Sequence, residues 1–459
     1  MFINRHKEME HLNKEYSKTE SSFIVIYGRR RTGKTTLIKE FSKNKKAIYF
    51  FVEIEKESLM IKRFKKAAEP IVNSSLFNSI NNIEDWDIIF DFIIEKAASE
   101  KEKVIIAIDE FQYIVKENPS FASKLQRIWD EKLKDKNILL ILCGSLIGMM
   151  YETALAYQSP LYGRRTSQIN LKQIEFQYYN EFFSDMSFND LVRYYSVTGG
   201  VPKYINYFKS NNLMENIKEN ILDKNSMLYL EPRFILNEEV SDTTTYFSIL
   251  EVIAKGEHKL GNIAGKLGVQ ATQLTFYLKK LIELDIIYRK TPINETNPEK
   301  SKKGLYFIKD NFFLFWFRFV YPNTGYLEME EVEYASANIE RDLELHVSNI
   351  FEVICQKAVY NLKIEDKFSI TGSWWDNNEE IDVVAIGENS VLLGECKWSN
   401  QKVGTNILEE LKRKSKSVKI DKNKQYFVIF SKSGFTEDLK SLSSYFEEGD
   451  KLNYLVVTE

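Results

Sequence analysis

Over the first third of the chain, short apolar runs alternate with helically spaced segments. The runs are FIVIYG from Phe23, KAIYFFVE from Lys46, KVIIAIDE from Lys103, NILLILCGS from Asn137 and SQINLKQI from Ser167. They are rich in Ile and Val and show little apolar–polar alternation, as strands covered on both faces do. Between them, TLIKEFSK and FASKLQRIWDEKL have helical spacing. The expectation is an α/β fold with a central parallel sheet. From about Gln177 to Leu230 the pattern is helical, interrupted by TGGVPKY. From Thr243 it reads as three helices, TYFSILEVIAKG, LGNIAGKLG and QATQLTFYLKKLIEL, then a hairpin around a polar, Pro-containing tip. A last unit begins near Glu340 with a helix, three strands, the helix TNILEELKRKSKSV and the strand KQYFVIFS. Domains are expected at residues 1–175, 176–235, 236–322 and 323–459.

Composition narrows the function classes. The chain has 459 residues, 44% of them apolar, enough for full cores, and a net charge of −3. It is not a uniformly basic binder, so any nucleic-acid surface has to be a local patch. Three scattered cysteines (Cys143, Cys355, Cys396) and four scattered histidines (His6, His11, His258, His346) form neither a disulfide framework nor a zinc pattern. They read as reduced thiols and ordinary imidazoles. MFINRHKEME lacks the apolar stretch of a signal peptide. FFLFWFRFVY, from Phe312, is interrupted by Arg318 and falls short of the roughly 20 apolar residues a bilayer span needs. A soluble, cytoplasmic protein is expected, with no membrane partner.

GRRRTGKT, Gly28 to Thr35, fits G-x-x-x-x-G-K-[ST] between the strand FIVIY and the helix TLIKEF. Glycines let backbone N–H groups curl around phosphate oxygens, and the helix N-terminus adds partial positive charge. Gly28, Arg29, Arg30, Arg31, Thr32, Gly33, Lys34, Thr35 and Thr36 are therefore the candidate ATP-binding set. Lys34 would reach the β- and γ-phosphates and Thr35 would ligate Mg²⁺. The three arginines could touch phosphates or face solvent and acidic neighbours. In KVIIAIDEFQ, an apolar strand delivers Asp109 to hold Mg²⁺ and Glu110 to polarise the attacking water. Adjacent carboxylates at a buried strand tip are costly without a cation, and Mg-nucleotide is one.

With these motifs the chain resembles the archaeal-type P-loop ATPases, a family of additional-strand NTPases near the origin-recognition and STAND-like ATPases. The resemblance covers nearly the whole chain. It implies that FINRHKE, with Arg5 and Glu8 at family positions and Asn4 where a glycine is usual, cradles adenine. It also implies a polar sensor at Ser145 in ILLILCGS, and a γ-phosphate contact from Arg164 or Arg165 in SPLYGRRT, in cis or across a subunit interface. That leaves a homo-oligomer open. GGVPKY resembles the family's lid motif, which places Pro202 near the base.

Three helices and a two-strand wing match the winged helix-turn-helix pattern. Gln270, Thr272, Gln273, Thr275 and Lys279 could meet bases or phosphates, and Lys300, Lys302 and Lys303 could meet phosphates at the wing. Winged helices also serve as protein-binding modules, so DNA and a protein partner both stay open. KDNFFLFWFRFV is expected to be core. The final helix–strand–strand–strand–helix–strand order resembles a restriction-endonuclease-like domain, whose chemistry needs two carboxylates on a divalent metal and a lysine at the water. Asp382, then Glu395-x-Lys397, fit a D-x(n)-[DE]-x-K pattern, with Glu352 on the preceding helix and Ile381 where a proline is usual. Side chains i and i+2 share a strand face, so Glu395 and Lys397 stand together. Trp374, Trp375 and Trp398 could stack on bases or pack in the core or at the rim.

Three functions are compatible with this reading. The first is an ATP-hydrolysing switch that acts on DNA and cuts it with Mg²⁺. The second is an ATP-dependent DNA-bound regulator with a silent nuclease fold. The third is a nucleotide-controlled signalling scaffold.

Overall fold

The computed structural model describes residues 2–80, 83–99 and 102–458. It divides into two compact units, Met1–Ile174 with Val201–Lys203, and Glu175–Gly200 with Tyr204–Glu459. The first boundary falls where the composition of the chain changes from strand-rich to helical. The second unit takes in most of the residues beyond it, with Val201–Lys203 in the first.

The first unit is built on a parallel sheet of β1 (Ser22–Tyr27), β2 (Ala47–Phe51), β3 (Val104–Asp109), β4 (Ile138–Gly144) and β5 (Ser167–Asn170). Its order is β2-β3-β4-β1-β5, and every pairing is parallel. The period-2 alternation of strand side chains divides β1 between two cores. Phe23 and Val25 join Phe64, Trp86 and Phe121 on one face. Ile24 and Ile26 join Leu37, Ile38 and Phe41 of the helix Lys34–Ser42 on the other. Because both faces are covered, the strands read as continuous apolar runs. β1 lies beside β4, with β3 next, so the loop leaving β1 opens at the C-terminal ends of all three. Open α/β sheets bind ligands at such a crevice.

The second unit begins with helices Phe188–Thr198 and Glu231–Glu239. Helices Thr243–Ala254, Leu260–Leu267 and Ala271–Glu283 follow, then the antiparallel pair β6 (Ile287–Lys290) and β7 (Leu305–Ile308). Gly268 ends the middle helix at φ +66, a left-handed cap that glycine adopts without strain. The aromatic run is core: Phe312, Phe313, Phe315, Trp316 and Phe317 are fully buried.

The first helix of the C-terminal pattern, expected to start at Glu340, starts earlier and runs Val332–Ala358. It packs against β8 (Phe368–Trp375), β9 (Glu380–Gly387) and β10 (Ser390–Lys397). The sheet continues through β11 (Lys424–Ser431), β12 (Tyr445–Glu447) and β13 (Asn453–Thr458) in the order β12-β13-β11-β10-β9-β8. β9 and β10 form an antiparallel hairpin, while β10 and β11 are parallel, joined through the helix Thr405–Ser415. β12 and β13 were not expected from the pattern, since only β13 carries a clear apolar run. Among the described residues no helix is long and apolar enough to cross a membrane.

One buried imidazole pins the long helix. The Nε2–H of His346 donates to the Ser196 carbonyl at 2.8 Å. Burial pushes this imidazole down from 6.5 to about 4, with the Ser196 bond acting the other way. A folded value below the unfolded one means that stability is intact above pH 6.5 and is lost as pH falls toward 4. The loss is at most about 3 kcal/mol. Urea unfolding should therefore show the wild type losing more stability than His346→Gln between about pH 7.5 and about pH 5. Equal losses would contradict the assignment.

Candidate functional site

The glycine-rich loop holds its shape through conformations that its sequence makes possible. Gly28 lies at φ +146, and a Cβ there would sit 2.5 Å from the Leu171 carbonyl oxygen. Gly33, at φ +94, has open space around it, so its requirement is purely conformational. Arg31 also adopts the left-handed region, at φ +67. Lys34 begins the helix Lys34–Ser42, and its ammonium donates to the carbonyls of Gly28 and Arg29, both at 2.8 Å. Burial lowers the Lys34 pKa, while Cys143, Glu110 and Asp109 act to raise it. Thr32 and Arg29 are buried, and the Thr32 hydroxyl donates to the Arg29 carbonyl at 2.9 Å. Arg30 donates to the Tyr113 hydroxyl at 2.8 Å. Thr36 lies in the first turn of the helix.

Asp109 ends β3 and is 1% exposed. Its Oδ2 accepts from the Thr35 hydroxyl at 2.6 Å and from the Tyr49 hydroxyl at 2.8 Å, and its Oδ1 accepts from the Glu110 N–H at 3.0 Å. Strand register explains the meeting, because Phe51 and Cys143 flank Asp109 in β2 and β4. Glu110 turns away at φ +59, an uncommon conformation for a non-glycine residue. Its Oε2 accepts from Ser145 at 2.8 Å and from the Gln112 amide. The fold therefore brings together Gly28, Lys34, Thr35, Asp109, Glu110 and Ser145. A hydroxyl and a carboxylate 2.6 Å apart beside a phosphate loop suit Mg²⁺ on a nucleotide. Among the described residues no three His, Cys, Asp or Glu side chains gather as a metal cage.

Arg5 lies against the glycine-rich loop. It is buried, and its guanidinium donates to the carbonyls of Thr32 at 3.0 Å and Lys172 at 2.7 Å, with Glu8 at 3.3 Å. It thus braces the loop from behind. Arg164 pairs with Asp130 at 3.0 Å, and Arg165 donates to the Ala154 and Leu155 carbonyls at 3.0 and 3.2 Å. Neither arginine is engaged with the loop. Pro202 opens the short helix Pro202–Ile205, and Val201–Lys203 cluster with the first unit.

Tyr49 and Gln112 were missed from sequence. Tyr49 was legible only as a polar aromatic inside an apolar strand. Gln112 follows the Asp-Glu pair, and a Cβ on Gly144 would collide with its side chain at 2.4 Å.

The C-terminal unit carries a second constellation. Asp382 on β9 accepts from the Cys396 N–H at 2.8 Å, which ties it to β10 between Glu395 and Lys397. Glu395 is 7% exposed and is bonded to Lys397 at 2.8 Å and Lys414 at 3.3 Å. Burial, reinforced by Glu395, pushes Asp382 up to about 7, against the Cys396 N–H bond. Burial, then Asp382 and Glu380, push Glu352 up to about 8. The Lys290 ammonium of β6 lies 5.7 Å from the Trp375 ring centroid. Burial lowers its pKa, while Glu380, Glu352 and Asp382 act to raise it. The same segment is tied to the sheet by the Ile293 N–H, which donates to the Ser373 carbonyl at 3.0 Å.

Lys414 and Lys290 were also missed. Lys414 continues the inward stripe of Leu408 and Leu411, both buried, so it was legible as a lysine on an apolar face. Trp374 and Trp375 are 5% and 8% exposed, which removes them as stacking platforms. Gly394 is explained by packing, since a Cβ would lie 3.0 Å from the Val383 Cβ and 3.2 Å from the Val428 carbonyl.

A parallel sheet with a glycine-rich loop after its first strand and a Thr–Asp pair at its crevice defines a P-loop ATPase domain. Residues 2–208 match the family described as an ATPase domain predominantly from Archaea, and residues 316–415 match one described as archaeal and bacterial proteins of unknown function. An uncharacterized protein of Methanocaldococcus jannaschii is 38% identical over 441 residues, 94% of this chain and 96% of that protein. The chain belongs to this archaeal ATPase family. A second M. jannaschii protein, an uncharacterized ATP-binding protein, is 50% identical over 46 residues, 10% of this chain and 78% of its own length. A Walker-type ATPase of Pyrococcus abyssi has a similar fold over 69% of this chain and 96% of its own, at 19% identity and a TM-score of 0.53.

Lys34→Ala should abolish ATP binding in a fluorescent-nucleotide titration, and unchanged binding would remove the loop assignment. Tyr49→Phe deletes one hydrogen bond to a carboxylate and should lower Mg²⁺-dependent turnover by about tenfold. Full activity of that variant would leave Tyr49 a packing residue.

Proposed function

We propose that the chain is an ATP-hydrolysing switch that acts on DNA, with a Mg²⁺-dependent nuclease site in its C-terminal segment. In this reading Lys34 and Thr35 hold the Mg-nucleotide and Asp109 orients the metal shell. Glu110, aligned by Ser145 and Gln112, takes the proton of the attacking water. The helix Ala271–Glu283 and the β6–β7 hairpin act as a winged helix on DNA. The helix presents Thr272, Gln273, Thr275 and Lys279 on its exposed side, and Lys300, Lys302 and Lys303 are exposed near the hairpin tip. Phe276, 70% exposed on that helix, adds an apolar contact.

The nuclease reading rests on one observation: Asp382 is hydrogen-bonded to the backbone between Glu395 and Lys397. Two carboxylates and a lysine thus meet at the end of a hairpin. A divalent ion there would polarise a phosphodiester and lower the pKa of water. Asp382 and Glu395 would hold it, and Lys397 would position the water. A second reading, a DNA-bound regulator with a silent nuclease fold, is favoured by the two lysines that already neutralise Glu395.

Plasmid nicking with Mg²⁺ or Mn²⁺ separates the two. Active wild type with inactive Asp382→Ala and Lys397→Ala supports the nuclease, and no nicking by wild type supports the silent fold. A metal needs both carboxylates deprotonated, and Asp382 lies near 7. Mn²⁺ should therefore bind more tightly at about pH 8.5 than at about pH 6, read by tryptophan fluorescence. Affinity independent of pH would contradict the proposed ligand set.

A further inference from the structure

Arg318 is the charged residue within the aromatic run, and neither site described above uses it. Phe312, Phe313, Phe315, Trp316 and Phe317 before it are fully buried, and Phe319 after it is 3% exposed. The guanidinium is half-buried and lies 5.3 Å from the Phe319 ring centroid. Burial lowers its pKa, and Asp342 is the charge acting against that. Asp342, however, already accepts two hydrogen bonds from Arg341, at 3.1 and 3.0 Å. Among the described residues Arg318 has no hydrogen bond or ion pair of its own. An unpaired, partly desolvated cation is costly to keep inside a core segment, so its position calls for an anion.

A cavity of about 330 Å³ opens beside it, lined by Lys255, Arg318, Asn323, Asn338, Arg341 and Asp342 along with the Phe319 ring. Three cationic side chains face one carboxylate. Lys255 is held by Glu251 at 2.6 Å from outside the lining set. The Asn323 amide donates to the Phe319 carbonyl at 2.8 Å, which fixes that side chain at the rim. The cavity is at the small end of the range of ligand pockets, roughly 300–1,000 Å³, and its lining is too polar for an apolar guest.

We propose that this cavity binds a phosphate group, carried either by a free nucleotide or by a nucleic-acid backbone. With Arg341 bonded to Asp342 and Lys255 to Glu251, Arg318 supplies the uncompensated charge, and two planar guanidinium forks beside an ammonium match the oxygens of a phosphate. The site shares no residue with the glycine-rich loop or with the Asp382 constellation.

The test uses the full chain carrying Lys34→Ala, so that the glycine-rich loop cannot contribute, and inorganic pyrophosphate as the calorimetric probe. The Lys34→Ala chain should bind pyrophosphate. Adding Arg318→Gln should weaken binding by about tenfold or more, the scale of losing one charge-assisted contact set, and Arg318→Lys should recover part of it. Lys255→Gln, at a surface position, should weaken binding while leaving the circular dichroism unchanged, and it decides the matter if Arg318→Gln does not fold. AMP and a short single-stranded oligonucleotide then distinguish the sources. Arg318-dependent binding of AMP marks a free nucleotide, and Arg318-dependent binding of the oligonucleotide alone marks a backbone. No pyrophosphate binding by the Lys34→Ala chain, or binding unaffected by the Arg318 and Lys255 variants, would overturn the proposal.

Discussion

The nucleotide end of the molecule is organised by the cost of burying Asp109. A carboxylate at the end of a fully covered strand loses its hydration, and it persists only where donors replace the water. Here three do: the Thr35 hydroxyl, the Tyr49 hydroxyl and the Glu110 N–H. Thr35 and Tyr49 come from distant parts of the chain, so satisfying one side chain fixes the helix after the loop and β2 against β3. The left-handed conformation of Glu110 then turns its carboxylate toward Ser145 at the end of β4. Arg5 performs a similar task behind the loop, where its guanidinium ties Thr32 to Lys172.

The C-terminal constellation meets the same constraint with a different solution. Asp382 and Glu352 are half-buried with limited hydrogen bonding to their carboxyls, and desolvation raises both. Glu395 is instead neutralised by Lys397 and Lys414. A pair of carboxyls that resists ionisation beside a third that is already paired is an arrangement a divalent cation would stabilise. It is also an arrangement two lysines can maintain alone, which is why the chemistry of this site is open to experiment while that of the first is constrained by its family.

Much of this was legible in the chain itself. Strands covered on both faces read as unbroken apolar runs, so β1 to β5 were visible, and so was the loop that follows β1. The hairpin linking Asp382 to Glu395 is legible in EIDVVAIGENSVLLGECKW, where GEN at 387–389 separates two apolar runs. What stayed hidden depends on contacts distant in sequence. Tyr49 looks like any aromatic in a strand until register sets it near Asp109. The arginines of SPLYGRRT carry no signal of their partners, and in the fold Arg164 is committed to Asp130 and Arg165 to backbone carbonyls. The bonds of Arg5 to the Thr32 and Lys172 carbonyls were equally hidden in the chain.

The most direct test of the account is the separation of nucleotide binding from turnover at Glu110. Glu110→Gln preserves the shape and the bonding to Ser145 but removes the base. The account predicts that this variant binds ATP with Mg²⁺ as the wild type does, while single-turnover hydrolysis falls by about a hundredfold or more. Hydrolysis at the wild-type rate would contradict it and would move the water-activating role away from the carboxylate that follows Asp109.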